Sequence, residues 1–179
     1  MRMSLSTRAI AGIAGVVVVG AASLGTGIYW AHDAGKPREN VATLVVGTSS
    51  TTAAPFCYND GKPIGQAALK ACSDAAEAAG KKDALPLLDV RGSDQIGVGV
   101  PKDLAKKGWF AYTDGGSGQS SQGGATIVNP VRDITFSGTV PAHTVMSSID
   151  KTSVTVAVRD QESSDIYAVW FFELKNKTD

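Results

Sequence analysis

IYAVWFFEL, from Ile166 to Leu174, is apolar at its first seven positions and interrupted only by Glu173. A strand with one face in water alternates apolar and polar residues, and this one does not. It is therefore expected inside a sheet, with both faces covered. Period two puts Trp170 on one face with Ala168, Phe172 and Leu174, and Val169 with Phe171 on the other. The first face is expected to meet the valines Val154, Val156 and Val158, or Ile96, Val98 and Val100. The reverse face should lie under the helix that follows Pro63, or under a loop.

Working outward, six other stretches carry strand signals. Val41 to Thr48 is β-branched and apolar, and Leu87 to Val90 is short and apolar. Gln95 to Val100 alternates valine and isoleucine with glycine. Gly108 to Thr113 holds Trp109, Phe110 and Tyr112; Val131 to Phe136 places Ile134 and Phe136 on one face; Ser153 to Arg159 alternates Val154, Val156 and Val158 with Thr155 and Arg159. Seven short strands separated by Gly, Asp, Ser and Pro turns favour a mainly β chain, an immunoglobulin-like β-sandwich, over a βαβ arrangement. Trp109 and Trp170 are the expected core anchors. Two connections stand out. Asp114 to Gly124, DGGSGQSSQGG, is flexible in composition and reads as an insertion or a binding loop. Pro141 to Asp150 is read as a loop carrying His143.

The chain has two cysteines, Cys57 and Cys72, which bound the segment CYNDGKPIGQAALKAC. In a reducing compartment they would be two buried thiols; behind an export signal, an even pair reads as a disulfide. Closing a loop of this length stabilises a fold by roughly 3 kcal/mol in the chain-entropy model. Zinc needs three or four thiolate or imidazole ligands, and His32 and His143 show no ligand spacing to the cysteines. The spacing is not C-x-x-C, so it does not point to dithiol catalysis. Between the cysteines, Asn59-Asp60-Gly61 supplies a turn and Gln66 to Cys72 is rich in helix formers. A second alanine-rich stretch, Ser73 to Ala79, extends the helix before Gly80 ends it. The fold expectation is thus a sandwich with a short disulfide-tethered helical insert.

No charge occurs from Ala9 to Ala31, and the run ends in Tyr29-Trp30. At about 1.5 Å rise per residue, such a segment is long enough to cross a hydrocarbon core of about 30 Å. The expected organisation is a cytoplasmic arm at 1–8, a transmembrane helix at 9–31, a linker at 32–40 and an extracytoplasmic domain at 41–179. The alternative is a cleaved signal peptide, with Arg2 and Arg8 as its basic region and Gly20 and Ala22 at the cleavage spacing. Arg2 and Arg8 before the run balance Lys36 and Arg38 after it. The N-terminal amine, the short arm and the cysteine pair favour a single-pass cell-membrane protein with its domain outside.

Of 17 basic residues, all but Arg2 and Arg8 follow the apolar run, as do all 17 acidic ones, so the domain is mildly acidic. That balance makes no electrostatic case for nucleic acid. No catalytic, metal or cofactor motif stands out. Gly116-Ser117-Gly118 lacks the nucleophile-elbow pattern. Asp160, Glu162 and Asp165 flank a turn between strands, and the expected chain is not an enzyme.

The run Cys57-Tyr58-Asn59-Asp60-Gly61-Lys62-Pro63 with Cys72, then Gly108-Trp109, then Val169-Trp170-Phe171-Phe172-Glu173-Leu174-Lys175, resembles an uncharacterised family of actinobacterial envelope proteins. The resemblance spans Val41 to Lys175 and implies an exported bacterial protein, often a lipoprotein, with no assigned activity. No lipobox cysteine is present here. The functional expectation is an accessory or binding module of the cell envelope, anchored by its N-terminal helix and facing another envelope or membrane protein. A cell-envelope hydrolase and a plain structural spacer are the alternatives.

Overall fold

The computed structural model describes residues 39–116 and 124–178. The expected membrane helix at 9–31 lies outside them; among the described residues no helix is long and apolar enough to cross a membrane. The strands are β1 (Ala42–Val46), β2 (Ser49–Ala53), β3 (Cys57–Tyr58), β4 (Leu87–Val90), β5 (Gln95–Gly99), β6 (Trp109–Thr113), β7 (Thr126–Val131), β8 (Phe136–Pro141), β9 (Lys151–Arg159) and β10 (Ile166–Asn176). Among the described residues, three helices interrupt them: α1 (Gln66–Gly80), α2 (Lys102–Ala105) and α3 (Ala142–Val145).

Two sheets face each other across one core. A four-stranded antiparallel sheet has the order β2-β1-β5-β8. A six-stranded sheet has the order β3-β10-β9-β6-β7, and β4 also pairs with β10. β3 joins β10 antiparallel at Ala168 and Val169, while β4 runs parallel to it from Glu173 to Asn176. The apolar stretch is thus paired along both edges, as its lack of alternation required.

Trp170, Phe172 and Leu174 are fully buried on the inner face of β10. Val154, Val156 and Val158 lie beside them on the neighbouring strand of the same sheet, whereas Leu44, Ile96 and Val98 come from the opposing sheet. Trp109 is the second large anchor, and its indole N–H donates to the Ile134 carbonyl. On the reverse face, Val169 and Phe171 form a small second cluster with Cys57, Ala157, Phe110, Ile64, Leu69 and Cys72. The helix after Pro63 covers that face. Cys57 and Cys72 are bonded, with Cα atoms 6.0 Å apart, so the bridge ties edge strand β3 to α1 outside the sandwich and does not join the two sheets.

Two local expectations are corrected, and one strand and one turn appear that the sequence reading did not name. Val131 to Phe136 is not one strand: β7 ends at Val131, the chain turns at Asp133 (φ 60°), and β8 begins at Phe136 in the other sheet. Ile134 and Phe136 therefore sit at the surface. Ser49–Ala53 forms an edge strand although its Ser-Thr sequence carries no apolar alternation, because a turn at Gly47 (φ 55°) folds it back onto β1. Pro141 to Asp150 contains the one-turn helix α3, whose Ala142 and Val145 are buried. Gly80 is the last residue of α1, as expected, without a positive φ. The left-handed residue is Asp83 (φ 53°), around which Ala84 N–H reaches Ala79 O and Asp83 N–H reaches Gly80 O.

The stretch after β6 is tied down at its start. Asp114 N–H donates to Ser153 O and its carboxylate accepts from Ser153 N–H; Gly116 N–H donates to Met146 O. The flexible composition read across 114–124 does not apply to these residues.

Candidate functional site

The outer face of the six-stranded sheet is crossed by α1 but not filled by it. Ser73, Ala76, Glu77 and Gly80 recur on α1 at helical spacing and form one wall of a groove of about 560 Å³. Ser153 and Thr155 of β9 and Phe171 and Glu173 of β10 form its floor, where Ser153 is paired with Glu173 and Thr155 with Phe171. Leu85, Asp114 and Ile149 complete the rim, and Ile149 is one of the most exposed large apolar side chains of the domain.

Glu173 is the polar residue that breaks the apolar run, and it is 6% exposed. Its Oε2 accepts from Lys151 Nζ at 3.1 Å, and the same ammonium donates to Asp83. The left-handed turn after α1 is what brings Asp83 over the sheet to share that cation. Glu173 fits under the helix because residue 80 has no side chain: a Cβ there would fall 2.8 Å from Glu173 Oε1. One ammonium thus bridges a buried carboxylate of the sheet and an exposed one at the end of α1. Hydrogen bonds to Asp83, then to Glu173, raise the Lys151 pKa, and the hydrogen bond from Lys151 lowers that of Asp83.

A depressed aspartate contributes stability that is fully present above its unfolded pKa of about 3.9 and disappears as pH falls through its lower folded value. The melting-temperature gap between the wild type and Asp83→Asn is therefore expected to hold steady around neutrality and to close below about pH 4. A gap that is unchanged in strong acid would show that the Asp83–Lys151 contact contributes nothing.

A second recess, about 460 Å³, lies on the same sheet face, lined by Phe110, Tyr112, Arg159, Ser164 and Ile166. Phe110 and Tyr112 point the same way by the period of β6 and stack at 6.0 Å between ring centroids. Arg159 is held by a hydrogen bond from Nη2 to Ser164 Oγ at 2.9 Å.

The chain matches no family model, no curated protein and no solved structure. The site rests on its own geometry.

That geometry separates the residues singled out in the sequence. Asp160, Glu162 and Asp165 flank the turn between β9 and β10, as expected, and Asp160 Oδ1 accepts from the Glu162 and Ser163 amides and so caps its own turn. Those backbone donors lower the Asp160 pKa. His143 is exposed, with Nδ1 3.4 Å from Gly92 O. Ser117 lies outside the described residues. Among the described residues, no three or more His, Cys, Asp or Glu side chains converge as a metal site. Cys57 and Cys72 act on the groove indirectly, by clamping its helical wall. Lys151 and Asp83 carried no sequence signal, because 68 residues separate partners that only the folded chain brings together. Glu173 did carry one: it is the charge inside an otherwise apolar run.

Proposed function

We propose that the chain is a membrane-anchored, extracytoplasmic binding or accessory module of a bacterial cell envelope, and that the groove beside α1 is its ligand face. The observation that carries the reading is the groove: a recess of about 560 Å³ whose floor mixes Phe171 with Ser153, Thr155 and Glu173, with a fixed charge network at one end. Mixed apolar and polar lining of this kind suits a ligand or a partner segment better than bulk solvent. The Cys57–Cys72 bond supports an oxidising location, and the uncharged run from Ala9 to Ala31 supports the anchor. The resemblance to actinobacterial envelope proteins points the same way. The two facing sheets fit an immunoglobulin-like variant whose disulfide has its own, external position.

A photo-crosslinking residue at Ser73, on the groove wall, tests the reading in the native cell. It is expected to capture a partner or an envelope ligand that the same residue at Thr139, on β8 of the other sheet, does not. In the same cells, Ser49→Cys on the exposed β1–β2 hairpin should react with a membrane-impermeant thiol reagent, while Ser4→Cys should not. Equal crosslinking from both positions would leave a structural spacer as the better description, and labelling of Ser4→Cys alone would invert the topology.

A further inference from the structure

α1 is weakly built for its position. Of its 15 residues, Ala76 alone is fully buried. Its N-terminus has Gly65 as cap with no side-chain hydrogen bond, and no acidic residue stands in its first turn. A helix of this length has little stability by itself and depends on its packed face. That face consists of Ile64, Leu69 and Cys72 against Val169, Phe171 and Ala157, a cluster separate from the sandwich core. Beyond that cluster, the ends of the segment are held by Ile64 N–H on Ile166 O at 2.7 Å before the helix and by the Asp83–Lys151 ion pair after it. Cys72, midway along α1, is the covalent attachment, and it reaches β3 on the edge of the sheet.

We propose that the Cys57–Cys72 disulfide is a redox latch, whose reduction by a dithiol releases α1 from the outer face of the six-stranded sheet while the sandwich core stays folded. The chemistry is thiol–disulfide exchange. Cys57 is 6% exposed, whereas Cys72 is half-buried on the helix, so access directs the attacking thiolate to Cys72 Sγ. A mixed disulfide forms there, and Cys57 leaves as a thiolate and takes up a proton. The second thiolate of the reductant then displaces Cys72, which is protonated in turn. The reductant is oxidised to its disulfide, and two electrons and two protons reside on the protein's cysteines.

Release removes the wall formed by Ser73, Ala76, Glu77 and Gly80, and uncovers Val169 and Phe171. The bound state is therefore a closed groove and the reduced state an open sheet face. The inner face of β10 is untouched, because Trp170, Phe172 and Leu174 pack into the other cluster. The latch stands whether or not the groove takes a ligand, since its readout is the motion of the helix.

Hydrogen–deuterium exchange of the full-length chain in mild detergent, with and without dithiothreitol, tests it. Intact mass first establishes that both cysteines are reduced. Amides of 66–80 are then expected to exchange at least about tenfold faster, with β9, β10 and the tryptophan fluorescence unchanged. The double variant Cys57→Ser, Cys72→Ser should show the same pattern without reductant. Helix exchange that stays the same after full reduction would overturn the latch. So would a parallel rise across β9 and β10, which would make the bond a support of the whole fold.

Discussion

Replacing Trp170 by alanine is expected to destabilise the domain by about 3–5 kcal/mol, a large share of the stability usual for a fold of this size. The indole is fully buried between the sheets, among Leu44, Ile96, Val98 and the β9 valines. Truncation removes its transfer free energy and leaves a cavity that two hydrogen-bonded sheets cannot close. A second loss is specific to this site. Trp170 Nε1–H donates to the Asn40 carbonyl at 3.1 Å, joining the start of the described domain to its central strand. Alanine leaves that carbonyl without its donor. Urea unfolding of the full-length protein measures the change, and Phe171→Ala is the internal comparison. Phe171 sits one residue on but on the reverse face and half-buried, so its loss should be clearly smaller. Equal effects, or a Trp170→Ala cost below about 1 kcal/mol, would contradict a core centred on β10.

Gly115→Ala is expected to cost about 3 kcal/mol, the upper end for overpacking a site. A methyl there would overlap the Ser147 nitrogen and the Met146 carbonyl carbon, both backbone atoms. Neither can yield easily. Gly115 N–H donates to Thr113 Oγ1, Thr113 Oγ1–H donates to Val145 O at 2.6 Å, and Gly116 N–H donates to Met146 O at 2.8 Å. Asn176 clamps the other side of the same crossing, with Nδ2–H on Ser147 O. The methyl would have to break this set or shift it as a block. Gly65→Ala is the control, because a methyl at residue 65 would meet nothing within 4 Å and the backbone φ there is negative; its effect should stay within about 1 kcal/mol, the cost of alanine at a helix N-cap. Similar melting temperatures for the two variants would mean that the crossing at Met146–Ser147 gives way at little cost.

Gly115 also shows where reading from sequence stops. Glycine and serine between strands read as freedom, and composition cannot distinguish a loose loop from a backbone that must pass close to another. The contact that decides it comes from residues 146 and 147, some thirty positions away. The same holds for Val131 to Phe136, where a run of β-formers is divided between two sheets by the turn at Asp133. The groove was only partly legible. Its helical wall, its clamp and the odd carboxylate at Glu173 can be read from spacing and from a broken apolar pattern. That Lys151 would bridge Glu173 to Asp83 cannot.

Local pattern was enough for the β class, the central position of Ile166–Leu174, the two tryptophan anchors, a helix between Gln66 and Gly80, the need for cover over the reverse face and, given an oxidising location, the Cys57–Cys72 bond. Each follows from local periodicity, side-chain volume or cysteine chemistry, which act over a few residues or through one covalent link. The folded chain was needed to show that β4 runs parallel beside β10, that β3 and β4 share one edge of that strand, that α1 and not a loop covers Val169 and Phe171, and that α1 lies across the sheet so as to leave a groove. Strand partners and helix placement are set by backbone hydrogen bonds and contacts between segments far apart in the chain, and a one-dimensional pattern specifies which face of a segment is buried without specifying what buries it.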